Sequence, residues 1–155
     1  GYRFLKGMLV EITREEEIQS IDEAIGQTRK DRLYGADEHL QTALALLAKR
    51  PDPDYRNSIK ESVSAVDAVA KQLSGERSGG LSRALGKLDE KVGFQPAFKD
   101  GLEKLYGYSS DAEGIRHAIL ERPTVGLDEA KYMLVMCSAL VNYMIAKAHE
   151  HGLLS

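Results

Sequence analysis

Residues 127–148, LDEAKYMLVMCSALVNYMIAKA, read as a single helix that is apolar on nearly every side. Leu127, Met133, Leu134, Val135, Met136, Leu140, Val141, Met144 and Ile145 are spread around the helical wheel rather than gathered on one stripe. In water, such a helix has to be covered by neighbours on several sides. The rest of the chain must therefore supply a bundle around it. Ser138 and Asn142 interrupt the most apolar run, 132–146, which is also shorter than the roughly 20 residues of a membrane span. No membrane partner is expected. One side of this helix is left for a second subunit, with Tyr132, Met136 and Tyr143 as candidates for the contact. A homodimer is the expected assembly.

The remaining segments supply that bundle. At 155 residues the chain suits one domain with a sizeable core. YRFL and MLVEI have strand character, and Lys6-Gly7 between them suits a two-residue hairpin turn. Thr13-Arg-Glu-Glu16 has capping-box spacing and opens a helix to about residue 28, with Ile18, Ile21 and Ile25 on one side. A second helix over 36–49 carries Leu40, Ala43, Leu44 and Leu47. Asp52-Pro53, an N-cap followed by proline, starts a third that runs to residue 74. Its Ser58, Ser62, Ala65 and Ala68 are small enough to let a neighbouring helix come close.

GERSGG, 75–80, reads as a flexible loop before a short helix over 82–92. Gly93-Phe-Gln-Pro96 breaks that helix and begins another over 97–106. Ser110-Asp-Ala-Glu113 is a further capping box, so a short helix opens at Asp111 with Ser110 as its cap. Arg122-Pro123 stops it, and Thr124 caps the final helix. The expected fold is all-α, a bundle of five to seven helices with a small N-terminal β-hairpin. Residues 1–12 form the hairpin lead-in and 13–155 the helical domain. Gly1 stands where an initiator Met would be, so an N-terminal domain is expected to precede this region. A lone hairpin is marginal and must pack on the helices or on that domain.

Composition narrows the chemistry. A net charge of −3 gives no overall basic field, so any nucleic-acid contact must come from a local patch. One cysteine excludes an intrachain disulfide and fits a reducing, cytoplasmic compartment. Cys137 lies among apolar residues with no basic neighbour, which describes an inert buried thiol. His39, His117, His149 and His151 include no pair spaced i, i+4, so no metal is expected. His149-Glu-His151 reads as a frayed, solvated end. No Walker or dinucleotide glycine motif is present, and no cofactor is expected.

Two places remain where chemistry could reside. Arg56 and Lys60, followed by Lys71 and Arg77, could track an RNA backbone. Glu61, Asp67 and Glu76 interrupt them, as on an ordinary solvated face. The other is 106–117, YGYSSDAEGIRH, where backbone breakers, a helix start, a cation and an imidazole converge. Histidine can move a proton near neutrality and guanidinium can stabilise the charge of a phosphoryl transition state. The pair Arg116-His117 could therefore cut RNA without a metal. Adjacent residues on a helix diverge by about 100°, which favours separate structural roles for the two.

PDYRNSIKESVSAVDAV at 53–69, YGYSSDAEGIRHA at 106–118 and MLVMCSALVNYM at 133–144 resemble the helical domain of bacterial abortive-infection proteins within the HEPN superfamily. The resemblance runs from about Gly35 to the C-terminus. It implies a helical bundle, often dimeric, in phage-defence or toxin–antitoxin settings. Many relatives of that kind are metal-independent endoribonucleases, and others bind RNA or act as scaffolds. The superfamily's catalytic pattern is an arginine and a histidine separated by four to six residues near the last long helix. Here Arg116 and His117 occupy that neighbourhood but are adjacent. Arg32 and His39 have the spacing, too early in the chain. A supporting acidic residue on an earlier helix corresponds best to Glu61. The expected function is thus action on RNA or binding of RNA, with Arg116, His117 and Glu61 as the catalytic set and Arg56 and Lys60 as RNA contacts. The alternative is a non-catalytic dimerisation or partner-binding domain.

Overall fold

The structure is a computed structural model and describes residues 2–12, 14–110 and 125–155. Among these residues it is an all-α bundle with a small antiparallel hairpin. In chain order the elements are β1 Arg3–Leu5, β2 Met8–Val10, α1 Glu15–Lys30, α2 Tyr34–Ala48, α3 Tyr55–Ser74, α4 Leu81–Val92, α5 Pro96–Ser110 and a last helix, α6, Leu127–Glu150.

The hairpin forms where Lys6-Gly7 places it. Both turn residues have positive φ, 49° and 78°, and that twist suits a two-residue connection between antiparallel strands. Leu5 and Val10 turn inward and are buried, whereas the cross-strand pair Phe4 and Leu9 faces out. The inner face packs on α2, which is how two short strands hold together.

At the centre of the bundle is α3, in contact with α2, α4, α5 and α6. Its small residues allow α2 to lie close. The Ser58 hydroxyl donates to the Ala43 carbonyl at 2.8 Å. The Asp54 N–H donates to the Leu46 carbonyl at 3.0 Å. A Cβ added to Gly35 would meet the Ala68 Cβ at 3.7 Å. As residue numbers fall along α2 they rise along α3, so the two helices run antiparallel.

The pairing of α1 with α6 is parallel. Asn142 Nδ2 donates to the Ser20 carbonyl at 3.0 Å across 122 residues of sequence. Near the other end His149 Nε2 lies 3.0 Å from Asp31 Oδ2 across 118 residues. As expected, α6 is buried on several sides. Ala130, Met133, Leu134, Cys137, Ser138, Val141, Met144, Ile145 and Ala148 are all nearly inaccessible.

Several helix ends differ from the sequence expectation. The cap of α3 is Asp54, not Asp52. Its carboxylate accepts the Asn57 backbone N–H at 3.1 Å and the Asn57 side-chain amide at 2.7 Å. Asp54 is the residue whose backbone is already tied to α2, so the helix begins there. Arg14 is the residue before α1 and makes no side-chain cap; Thr13 lies outside the described residues. Gln95 caps α5 by accepting the Phe98 N–H at 3.0 Å. That helix runs through Gly107 to Ser110, because Gly107, like Gly101 before it, costs only about 1 kcal/mol. Ser110 is therefore the last residue of α5, and the helix expected from Asp111 lies outside the described residues. Gly126 precedes α6 and donates its N–H to Glu129 at 3.0 Å; Thr124 is outside the described residues.

Two segments expected to be loose are held. In GERSGG, Gly75 closes α3 in the left-handed conformation at φ 76°. Glu76 then buries its carboxylate beside Lys87 at 2.5 Å and Arg83 at 3.4 Å. Lys91 reaches back from α4 to the last carbonyls of α3, at 3.0 Å from Ser74 and 3.3 Å from Leu73. The C-terminus is anchored rather than frayed. His149 pairs with a nearly buried Asp31, the Leu153 N–H donates to the Ala148 carbonyl at 2.8 Å, and Leu153 and Leu154 pack on the core.

Candidate functional site

Residues of α3 and α6 from two of the segments that carry the resemblance meet Tyr106, the first residue of the third, at one corner of the bundle. Val63 and Val66 of α3, Tyr106 of α5, and Met133, Cys137 and Leu140 of α6 line a common apolar cavity, closed further by Leu81, Leu85, Leu102 and Leu105. The chain reaches this corner for simple reasons. Val63 and Val66 lie on the apolar stripe of α3. Gly80 has no side chain, and a Cβ there would stand 3.9 Å from the Tyr106 hydroxyl. The cavity holds about 20 Å³, roughly the space of one water. Among the described residues it is a small apolar gap between helices.

Cys137 sits in this wall. Burial pushes its thiol up to about 12, so at neutral pH it is neither nucleophile nor metal ligand. Among the described residues no cluster of three or more His, Cys, Asp or Glu could hold a metal. Likewise no described helix is long and apolar enough to cross a membrane.

The charged residues fall on two sides of α3. Arg56 lies on the same side as Val63, two turns nearer the N-terminus. Lys60 is one turn from Arg56, and both are exposed. Neither forms a close ion pair among the described residues, although Arg56 is near enough to the Asp54 carboxylate to help keep it ionised, whereas Lys71 is held by Asp67 at 2.7 Å. They form a short cationic track running away from the corner. Asn57 hydrogen bonds hold the Asp54 carboxyl below its usual range, so the track begins beside a firmly ionised cap.

Glu61 points elsewhere. At about 100° per residue it lies nearly opposite Val63 on α3. It faces α2, where its Oε2 is 2.6 Å from His39 Nδ1. Both side chains remain partly accessible, 38% for His39 and 26% for Glu61. An imidazole bonded to a carboxylate is oriented for proton transfer. The sequence expectation did not pair these two residues. The one available signal was that both fall on the sides of α2 and α3 that the small residues bring together.

Arg32 is not part of that pair. Its carbonyl accepts from Gln72 at 3.4 Å, and Gln72 lies roughly 16 Å along α3 from Glu61 at 1.5 Å per residue. Arg116 and His117 lie outside the described residues.

No family model matches the chain, and neither a curated protein nor a solved structure matches it.

Proposed function

We propose that this chain is a HEPN-like helical domain of a bacterial phage-defence protein and acts on RNA. One observation carries the reading. Val63 and Val66, and Met133, Cys137 and Leu140, from two of the segments that resemble such domains, line one corner together with Tyr106, the first residue of the third. The exposed Arg56 and Lys60 support it as contacts for a phosphate backbone. In this reading His117 removes the proton of an RNA 2′-hydroxyl. The 2′-oxygen attacks phosphorus, the bond to the 5′-oxygen breaks, and that oxygen takes up a proton. Arg116 balances the charge on the phosphorane. Glu61, expected to orient Arg116 or His117, engages His39 on the α2 side of α3 and is given no step in this reaction.

A cleavage assay on single-stranded RNA, with and without EDTA, tests this proposal. Cleavage should survive EDTA. It should fall by about 100-fold or more in His117→Ala and Arg116→Ala, at an unchanged melting temperature. Wild-type protein that neither cuts nor binds RNA would remove the proposal. The second reading, a partner-binding domain without catalysis, is favoured by the exposed aromatic residues Tyr132 and Tyr143 on α6.

A further inference from the structure

Phe4, on β1, is the most exposed large apolar side chain among the described residues, at 77%. Leu9, its cross-strand neighbour, is 43% exposed and Tyr2 54%. The core is served by Leu5 and Val10 on the opposite face of the hairpin, so Phe4 and Leu9 have no part in it. Side chains alternate along an extended chain, which puts Tyr2 and Phe4 on the same side, about 6.6 Å apart. The Arg50 guanidinium lies over the Tyr2 ring, 5.5 Å from its centre. Its Nη1 donates to the Lys49 carbonyl at 3.0 Å, which steadies it there.

Cations lead away from these rings. Lys49 and Arg50 follow the last turn of α2, and the bond from the Asp54 N–H to the Leu46 carbonyl brings the start of α3 beside them. Lys49 and Arg56 both stand near enough to the Asp54 carboxylate to favour its ionised form. Arg50, Lys49, Arg56 and Lys60 thus make one exposed path from the Tyr2 ring to the first turns of α3. None of the four is in a close ion pair among the described residues. Asp52 and Asp54 lie in the turn between, and Asp54 is engaged by Asn57. Four cations against two acids leave the path positive.

We propose that the outer face of the hairpin and this path bind single-stranded nucleic acid, with bases stacked on Phe4 and Tyr2 and phosphates held from Arg50 to Lys60. Exposed rings joined to a cationic track are the two parts that such a site needs. The ring spacing selects the single strand. Stacked bases in a duplex are about 3.4 Å apart, roughly half the distance between the two rings, so both rings are used only by an opened strand. Leu9 widens the platform beside Phe4. A protein strand added to the hairpin could cover the same apolar face, but it would have no use for four cations in line. Stacking engages the faces of the bases, so ribose and deoxyribose strands should both bind. The platform adds to the proposed function and rests on it for Arg56 and Lys60 as phosphate contacts.

Anisotropy titrations with fluorescent oligouridylate, oligothymidylate and a duplex test it. Both single strands should bind, and the duplex about 10-fold more weakly. The log–log salt slope should be about −3, at about 0.7 for each phosphate met by the four cations. Phe4→Ala and Phe4→Leu should each weaken both single strands about 10-fold, and Phe4→Tyr should restore them. Phe4 is exposed, so all three should keep the melting temperature. The chain has no tryptophan, so Phe4→Trp adds a lone indole whose emission a stacked base should quench. Oligothymidylate lacks the 2′-hydroxyl that cleavage requires. A protein that binds it through Phe4 yet cuts no RNA would keep the platform while the cleavage mechanism fails. Failure of both single strands to bind would overturn the proposal. Binding that Phe4→Ala and Phe4→Leu leave unchanged, with no quenching in Phe4→Trp, would overturn it equally and give the hairpin face to a protein partner.

Discussion

Nδ1 of His39 and Oε2 of Glu61 lie 2.6 Å apart, midway along the antiparallel pair of α2 and α3. The contact closes a groove whose floor is made of small residues, so the two helices cannot slide without breaking it. A double-mutant cycle with His39→Ala and Glu61→Ala should give a coupling of about 1 kcal/mol, the range of a partly exposed pair. A coupling near zero by denaturant unfolding would show that the two groups are neighbours only.

The buried Glu76 makes acid stability a local question. Its hydrogen bond with Lys87, helped by the Ser78 N–H, holds its carboxyl down to about 2 from an ordinary 4.5. The folded value is below the unfolded one, so the contribution is complete above pH 4.5 and lost as pH falls towards 2. Stability of the wild type should decline across that window, and Glu76→Gln should flatten the decline by up to one proton's worth of slope. Equal slopes in urea titrations at several pH values would contradict this assignment.

The first turn of α3 separates two acidic residues that look alike in sequence. Asp54→Ala should cost about 1 kcal/mol, the usual value of a lost N-cap. Asp52→Ala should change thermal unfolding by no more than a few tenths of that. The reverse order would return the helix start to Pro53.

Cys137 should behave as a reporter of unfolding. With its thiol pushed up to about 12 by burial, a thiol reagent at pH 8 should label none of it in the folded protein. In denaturant one equivalent should react. Fast native labelling would mean that the α3–α5–α6 corner opens readily.

Much of this architecture was legible from particular residues. A helix apolar on most sides at 127–148 had to be covered by several neighbours, and α6 extends it by two residues to Glu150. Lys6-Gly7 specified the hairpin because few residue pairs accept two positive φ angles. The small residues of α3 announced a close neighbour without saying which. What was hidden depends on three-dimensional register. His39 and Glu61 meet only because the turn after α2 ties Asp54 to Leu46. Glu76 was unreadable as an anchor because the glycines beside it suggest looseness, while its partners Arg83 and Lys87 belong to the next helix. Of the candidate catalytic set, Glu61 is placed on α2's side of α3, and Arg116 and His117 lie outside the described residues.

The parallel contact of α1 with α6 sets the order in which a nascent chain can mature. Ile21, Ala24 and Ile25 of α1 are fully buried, and the helix that covers them along its length is made more than a hundred residues later. During synthesis the part of α1 that α2 does not cover stays open until α6 has left the ribosome. Contacts so distant in sequence slow folding and prolong the exposure of apolar surface. Ribosomes stalled before residue 127 should therefore carry a protease-sensitive α1, and those stalled well past residue 150 a protected one.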